Sequence, residues 1–313
     1  MTTALKLEHV NKTIGKRQIL HDISFETYTG EVFGFLGPNG AGKTTTIKMI
    51  VGLLRVDEGV ITVDGTALNR NFEKAMHNVG GIVENPELYK HLTGMQNLQQ
   101  YARMRGNIPQ KRLDEVTELV GLTNRIHDKV SHYSLGMRQR LGVAQSILHH
   151  PKVLILDEPT NGLDPAGIKD LRDILKNLAH EEGISVLVSS HLMSEMELMC
   201  DRVGIIVEGK LVDVQTVEEL ISTSSGGKTG FVFTVNDVPH AMELLADFQE
   251  IVQLDERRIQ VNLPSDDTEE PVSVINARLI TAGIKLYGAA PVENKKLEDV
   301  FIALTETGGK QIG

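Results

Sequence analysis

Residues 37–45 read GPNGAGKTT. Before them stands the apolar run Val32, Phe33, Gly34, Phe35, Leu36, which has the pattern of a buried strand. After them Ile47, Met49, Ile50, Leu53 and Leu54 recur as they would along an amphipathic helix. Strand, glycine loop and helix in that order are the setting in which GxxxxGK[ST] forms a P-loop. Gly37, Gly40 and Gly42 keep side chains out of the way. The stretch Gly37, Pro38, Asn39, Gly40, Ala41, Gly42, Lys43, Thr44, Thr45 is therefore expected to cradle a polyphosphate with inward-turned N–H groups at the positive end of the helix. In that reading Lys43 reaches the β- and γ-phosphates and the Thr44 hydroxyl sits on Mg²⁺.

Outward from this loop the chain alternates strands with helices, which sets the fold class as α/β with a parallel sheet. Leu5 to Phe25 reads as antiparallel edge strands, and Val60 to Val63 closes on the hairpin pair Asp64-Gly65. Val79 to Val83 is a short buried strand that delivers Glu84, Asn85 and Pro86 into a loop. From about Leu92 to His150 the texture turns helical, with Met95, Leu98, Tyr101, Ala102, Leu113, Val116, Leu119 and Val120 at helical spacing. Ser134 stands ahead of the last helix of that layer. The uninterrupted run Val153 to Leu156 reads as a strand covered on both faces. Ile168 to Leu178 gives one helical face, and Val186 to Val188 and Val203 to Val207 two further strands. STSSGGKTG at 222–230 has the composition of a flexible linker. Beyond it a small α+β domain is expected, with strands near Phe231, Ile251, Ile259 and Ile284, helices near Ala241 and Val272, and a closing helix from Leu297.

Composition narrows the function classes. The 313 residues are 41% hydrophobic and 24% charged, which makes the chain globular and long enough for two domains. With 42 Asp and Glu against 32 Lys and Arg the net charge is −10, the wrong sign for a nucleic-acid-binding surface. The only cysteine, Cys200, can form no internal disulfide, and the opening MTTALKLEH carries no leader pattern, so a reducing, cytoplasmic setting is expected. No run approaches the roughly 18 apolar residues of a membrane span. His149-His150 lacks metal-ligand spacing.

Asp157 and Glu158 follow the buried strand directly, at the end where open α/β sheets bind ligands. Asp157 is placed to hold Mg²⁺, and Glu158 to polarise the water that attacks the γ-phosphate.

VLILDEPTNGLDP at 153–165, SLGMRQR at 134–140 and the glycine loop together resemble the nucleotide-binding subunits of ATP-binding cassette (ABC) transporters over residues 1 to about 220. The resemblance implies a P-loop NTPase cassette at 1–221 with antiparallel edge strands and an inserted helical subdomain at about 87–150. A linker at 222–230 and an accessory or regulatory domain at 231–313 follow. It implies head-to-tail dimers with a second copy or a homologous ATPase, each ATP lying between one P-loop and the other chain's signature helix. There Ser134 and Gly136 would contact the γ-phosphate. It makes Asn161 to Asp164 the loop that links the two sites and His191 the switch histidine. Catalysis is thus expected from Glu158, His191 and Lys43, with Thr44, Asp157 and Glu84 around the metal.

In the signature, which usually reads LSGGQ in the family, Tyr133, Leu135 and Met137 replace the flanking leucine, the first glycine and the glutamine, and Ser134 and Gly136 are kept. Two further positions depart from the family pattern. Ile14 stands where an aromatic often stacks on adenine, which weakens the expected base contact. Glu84 stands where a glutamine usually reads Mg²⁺, the attacking water and the membrane subunit. GGIVENPELY around Glu84 resembles the ATPases of bacitracin and lantibiotic resistance exporters, and LEDVFIALT the tails of ABC-2 drug-exporter ATPases. The expectation is an exporter ATPase on the inner face of the cell membrane, beneath separate permease chains, with ATP and Mg²⁺ and no nucleic acid. Peptide antibiotics are the leading cargo, and a small drug, lipid or polysaccharide the alternative. A soluble ABC protein would ordinarily bring a second cassette or a coiled-coil insertion, and a non-hydrolysing sensor would lack Glu158.

Overall fold

The computed structural model describes residues 2–106, 108–224, 228–248, 250–264, 268–292, 297–298 and 301. They form two compact units, one reaching Thr216 and the other starting at Val217.

The first unit begins with β1 (Thr3–Ile14), β2 (Arg17–Tyr28), β3 (Val32–Leu36), α1 (Lys43–Ile50), β4 (Glu58–Val63), β5 (Thr66–Ala67), α2 (Phe72–His77) and β6 (Val79–Ile82). A helical layer follows: α3 (Gly94–Met104), α4 (Gln110–Leu119) and α5 (Leu135–Ile147). The unit closes with β7 (Val153–Asp157), α6 (Pro165–His180), β8 (Ser185–Ser190), α7 (Met193–Met199), β9 (Arg202–Val207) and β10 (Lys210–Thr216).

Two sheets result. One is antiparallel, in the order β2-β1-β4-β5; the other has the order β10-β9-β3-β8-β7-β6, parallel except for the edge strand β10. Every residue of β3, β7 and β8 is buried, so central position in the sheet follows from their unbroken apolar runs. Leu5, Leu7 and Phe25 of the antiparallel sheet share one core with Phe33, Phe35 and Ile155 of the other and with Ile47 and Ile50 of α1. Phe25 stacks on Phe33 with ring centroids 5.3 Å apart.

Register then places the site. Leu36 pairs with Ser190 and Asp157 with Ser189, so β3, β7 and β8 end together at one sheet edge. The glycine loop, Glu158 and His191 leave the sheet side by side there.

In the helical layer Thr93 and Gln96 form a capping box at the start of α3. Arg112 of α4 donates to the Ile147 and Leu148 carbonyls at the end of α5. These caps satisfy helix-end groups that burial would otherwise leave unpaired.

The second unit comprises α8 (Val217–Ser224), β11 (Lys228–Val235), α9 (Val238–Leu244), β12 (Ile251–Gln253), β13 (Arg258–Pro264), α10 (Glu269–Thr281) and β14 (Leu286–Pro291). Its sheet is antiparallel, in the order β12-β13-β11-β14. From β11 onward the elements make a split βαβ arrangement. Phe233, Val235, Ile259, Val261 and Leu263 alternate toward Ile275 and Leu279 of α10, forming a one-sided core.

The stretch expected as a linker at 222–230 differs in part. Ser222–Ser224 belong to α8, whose Val217 and Leu220 are buried, and Lys228–Gly230 to β11, while 225–227 lie outside the described residues. Of the expected closing helix, Leu297, Glu298 and Phe301 are described, as helix; the rest lies outside the described residues.

Candidate active site

The glycine loop leaves β3 in the space between β9 and β2. A Cβ on Gly37 would meet the Ile206 carbonyl oxygen at 2.4 Å, and one on Gly42 would meet Leu20 Cδ2 at 2.4 Å. Gly42 also has φ 113°, a backbone that side-chain-bearing residues rarely adopt. Glycine at these two positions is thus a packing requirement. The loop and the start of α1 border a cleft of about 290 Å³ whose lining includes Asn39, Gly40, Lys43, Thr44, Glu158 and His191.

Lys43 is buried, and its Nζ donates to the Gly37 carbonyl at 2.6 Å and the Pro38 carbonyl at 3.3 Å, with Glu158 Oε1 at 3.7 Å. Burial lowers its pKa, opposed by the negative charges of Glu158 and Asp157. The loop's own carbonyls thus hold the ammonium where triphosphate oxygens can replace them as acceptors. Thr44 Oγ1 lies 3.4 Å from Asp157 Oδ1, and Asp157 is itself buried.

Glu158 has φ 49°, a left-handed conformation that is uncommon outside glycine. Its N–H donates to the Ser189 carbonyl at 3.2 Å and to Ser189 Oγ at 3.0 Å. Its carboxylate accepts from His191 Nδ1 at 2.7 Å, so the Nδ1 proton is on the side facing Glu158. A cation, two carboxylates, a hydroxyl and an imidazole thus converge at the ends of three adjacent strands.

The other sequence-derived positions lie apart from this group. Ser134 caps α5, accepting from Met137 N at 3.2 Å, and Gly136 lies in the first turn of that helix. Asp164 caps α6, accepting from Gly167 N at 3.1 Å. Glu84, also with positive φ (67°), pairs with Lys48 at 3.0 Å and is mostly exposed; in this structure it meets neither Asp157 nor Thr44. Ile14 is half exposed, whereas Ile19 lines the cleft. Pro38, Ala41 and Thr45 stay in the loop and first helical turn as expected, with Thr45 in the lining.

Sequence reasoning passed over Ile19 and Ser189. Ser189 carried a signal: a serine pair ends an otherwise apolar buried strand, and a buried hydroxyl requires a partner.

A P-loop whose lysine faces a strand-end carboxylate pair defines a P-loop nucleoside triphosphatase. Residues 20–161 match the family described as ABC transporter, and the chain belongs to the ATP-binding subunits of that family. It is an ATPase that drives transport. Over 305 residues it is 49% identical to the uncharacterized ABC transporter ATP-binding protein YhcH of Bacillus subtilis (strain 168), covering 97% of each chain. It is 35% identical to the bacitracin transport ATP-binding protein BcrA of Enterococcus faecalis over 309 residues, 99% of this chain and 98% of that one. A solved structure of an ATP binding subunit of an ABC transporter superposes with a TM-score of 0.63 at 30% identity, over 72% of this chain and 94% of that chain.

Proposed function

We propose that this chain is the ATPase of a bacterial exporter that confers resistance to peptide antibiotics of the bacitracin or lantibiotic kind. The observation that carries the enzymatic half is the convergence of Lys43, Thr44, Glu158 and His191 at one cleft, with Asp157 buried 3.4 Å from the Thr44 hydroxyl. Lys43 and the loop N–H groups bind the β- and γ-phosphates of ATP. Glu158 accepts a proton from the water whose oxygen bonds to the γ-phosphorus as the bond between that phosphorus and the β,γ-bridging oxygen breaks, giving ADP and inorganic phosphate. His191 fixes the Glu158 carboxylate and faces the γ-phosphate. The 2.7 Å contact supports the pairing of His191 with Glu158.

Thr44 and Asp157 offer hard oxygen donors 3.4 Å apart, which suits Mg²⁺. An ion held by Thr44 and Asp157 would supply positive charge against the charge developing on the phosphates.

Ser134 and Gly136, at the positive end of α5 and outside the cleft, are free to serve the ATP of a second copy or a homologous ATPase. No helix among the described residues is long and apolar enough to cross a membrane. Membrane passage is assigned to separate permease chains. An apolar groove of about 650 Å³ with Phe72, Met76 and Val83 in its wall is a suitable face for them. The assembly would sit on the cytoplasmic face of the membrane. The likeness to the bacitracin transport protein over nearly the whole of both chains supports the cargo class.

The test is co-expression with a candidate permease in a peptide-sensitive strain. Purification of the two together, and protection against bacitracin that requires both, is expected. Protection against a small drug or lipid analogue alone would move the assignment to another ABC-2 cargo.

A further inference from the structure

We infer that Ser189 is a positioning residue that sets the Asp157 carboxylate for the metal and the Glu158 backbone for catalysis. The inference rests on the roles proposed above for Asp157 and Glu158. Ser189 is fully buried at the end of β8, next to Asp157 in register. Its hydroxyl donates its one proton to Asp157 Oδ1 at 2.6 Å and accepts the Glu158 N–H at 3.0 Å. One side chain therefore holds the carboxylate of one acidic residue and the backbone of the next.

Each bond has a specific consequence. The donor to Asp157 is neutral and buried, so it fixes the orientation of the carboxylate without adding a competing positive charge. Thr44 approaches the same oxygen, at 3.4 Å, which makes Ser189 the closer of the two hydroxyls on it. The bond from Glu158 N–H supports a residue whose φ of 49° is otherwise unfavourable. If the Ser189 hydroxyl is removed, Asp157 loses its shortest hydrogen bond, while Glu158 N–H retains only the Ser189 carbonyl, at 3.2 Å. Removal of an outer-shell partner of a metal ligand typically costs about 10- to 100-fold in metal affinity or activity.

The same strand supplies the control. Ser185, equally buried at the other end of β8, shares a 2.7 Å bond with the Thr27 hydroxyl. Loss of that hydroxyl removes a buried hydrogen bond without touching either acidic residue. A merely structural role for Ser189 therefore predicts that Ser189→Ala and Ser185→Ala behave alike.

The experiment compares the full-length wild type, Ser189→Ala, Ser185→Ala and Asp157→Asn. Isothermal titration measures ATP affinity in EDTA and in Mg²⁺, and hydrolysis is followed against Mg²⁺ concentration. For Ser189→Ala we expect unchanged ATP affinity in EDTA, a Mg²⁺ half-point raised about 10-fold, and kcat lowered about 10-fold. The Mg²⁺-dependent gain in ATP affinity should shrink in parallel. Ser185→Ala should keep the wild-type Mg²⁺ curve. A Ser189→Ala curve matching wild type or Ser185→Ala overturns the inference. If Asp157→Asn shifts the curve while Ser189→Ala does not, only the inference fails. If Asp157→Asn leaves the curve unmoved, the role of Asp157 fails and this inference with it.

Discussion

Among the described residues of the first unit, Lys43, Asp157, Ser189 and Ser190 are buried beside strand ends, whereas the buried residues of the second unit, from Phe233 and Val235 to Ile275 and Leu279, are apolar. Backbone strain divides the same way: among the described residues, every non-glycine with φ in the left-handed region lies at or before Glu208, Glu84 and Glu158 among them. Burying a charge costs several kcal/mol unless partners compensate, and each left-handed non-glycine residue adds of order 1–3 kcal/mol. The first unit carries these costs on a core drawn from two sheets and α1. The second uses its burial for packing alone. Burial of a polar group does not by itself mark the site, since Lys12, Thr27, Glu31 and Arg112 are buried with structural partners; the convergence of Lys43, Asp157 and Ser189 beside adjoining strand ends does.

The largest effect that could sharpen this contrast is Phe233→Ala. Truncation of a fully buried phenylalanine costs about 3–5 kcal/mol, so the second unit should melt at a markedly lower temperature while ATP affinity holds. A parallel fall in ATP affinity would mean that the two units do not behave independently.

Next is Lys43→Ala, which removes the buried ammonium and should weaken ATP binding by about 3 kcal/mol, roughly a hundredfold in Kd, in a folded protein. Unchanged affinity would contradict the assigned contact. Lys43 also has a pH signature. Burial lowers its pKa from 10.5 in the free protein, and bound phosphate would raise it again. ATP affinity should be full at neutral pH and decline as pH rises through the lowered value, beginning below 10.5. A flat titration up to that pH would count against it.

A smaller effect belongs to His149, whose ring Nε2 donates to the Val79 carbonyl at 3.1 Å. Burial, with nearby Arg105, His77 and His150, lowers its pKa from 6.5 to about 4. Below pH 6.5 the unfolded chain takes up a proton that the folded chain refuses, so stability falls from pH 6.5 toward about 4 and is flat above for this group. His149→Gln should remove that slope in thermal melts; an unaltered slope would assign it to another group.

The smallest is Glu84→Gln. An exposed ion pair with Lys48 contributes about 0–1 kcal/mol, so ATP affinity should barely move, and any change should appear in Mg²⁺ dependence and peptide protection. A tenfold loss of ATP affinity would bring Glu84 into the cleft.

The features legible in the sequence were those fixed by short-range pattern. β3, β7 and β8 are apolar on both faces, and the glycine loop between β3 and α1 has a spacing that few other structures require. The clustering of Lys43, Thr44, Asp157 and Glu158 followed once the strands were taken as parallel, whereas His191 was named by the resemblance to ABC transporter subunits. The Lys48–Glu84 pair was out of reach because it joins loop and helix across 36 residues. Ser189 was overlooked because a serine ending an apolar strand reads as a boundary until its partners are seen. The six-residue α2 is too short to display a period, and α8 runs into serine-rich sequence that composition alone assigns to a linker.

The central claim is that Glu158 is the base at the cleft that Lys43 binds. Glu158→Gln keeps the shape, the Ser189 contacts to the backbone and the neighbours of Lys43, and removes the proton acceptor. ATP affinity by titration calorimetry and steady-state phosphate release should be measured on the same preparation. Affinity within a few-fold of wild type and turnover lowered by about 10²-fold or more are expected. Turnover close to wild type with unaltered ATP binding would contradict the claim.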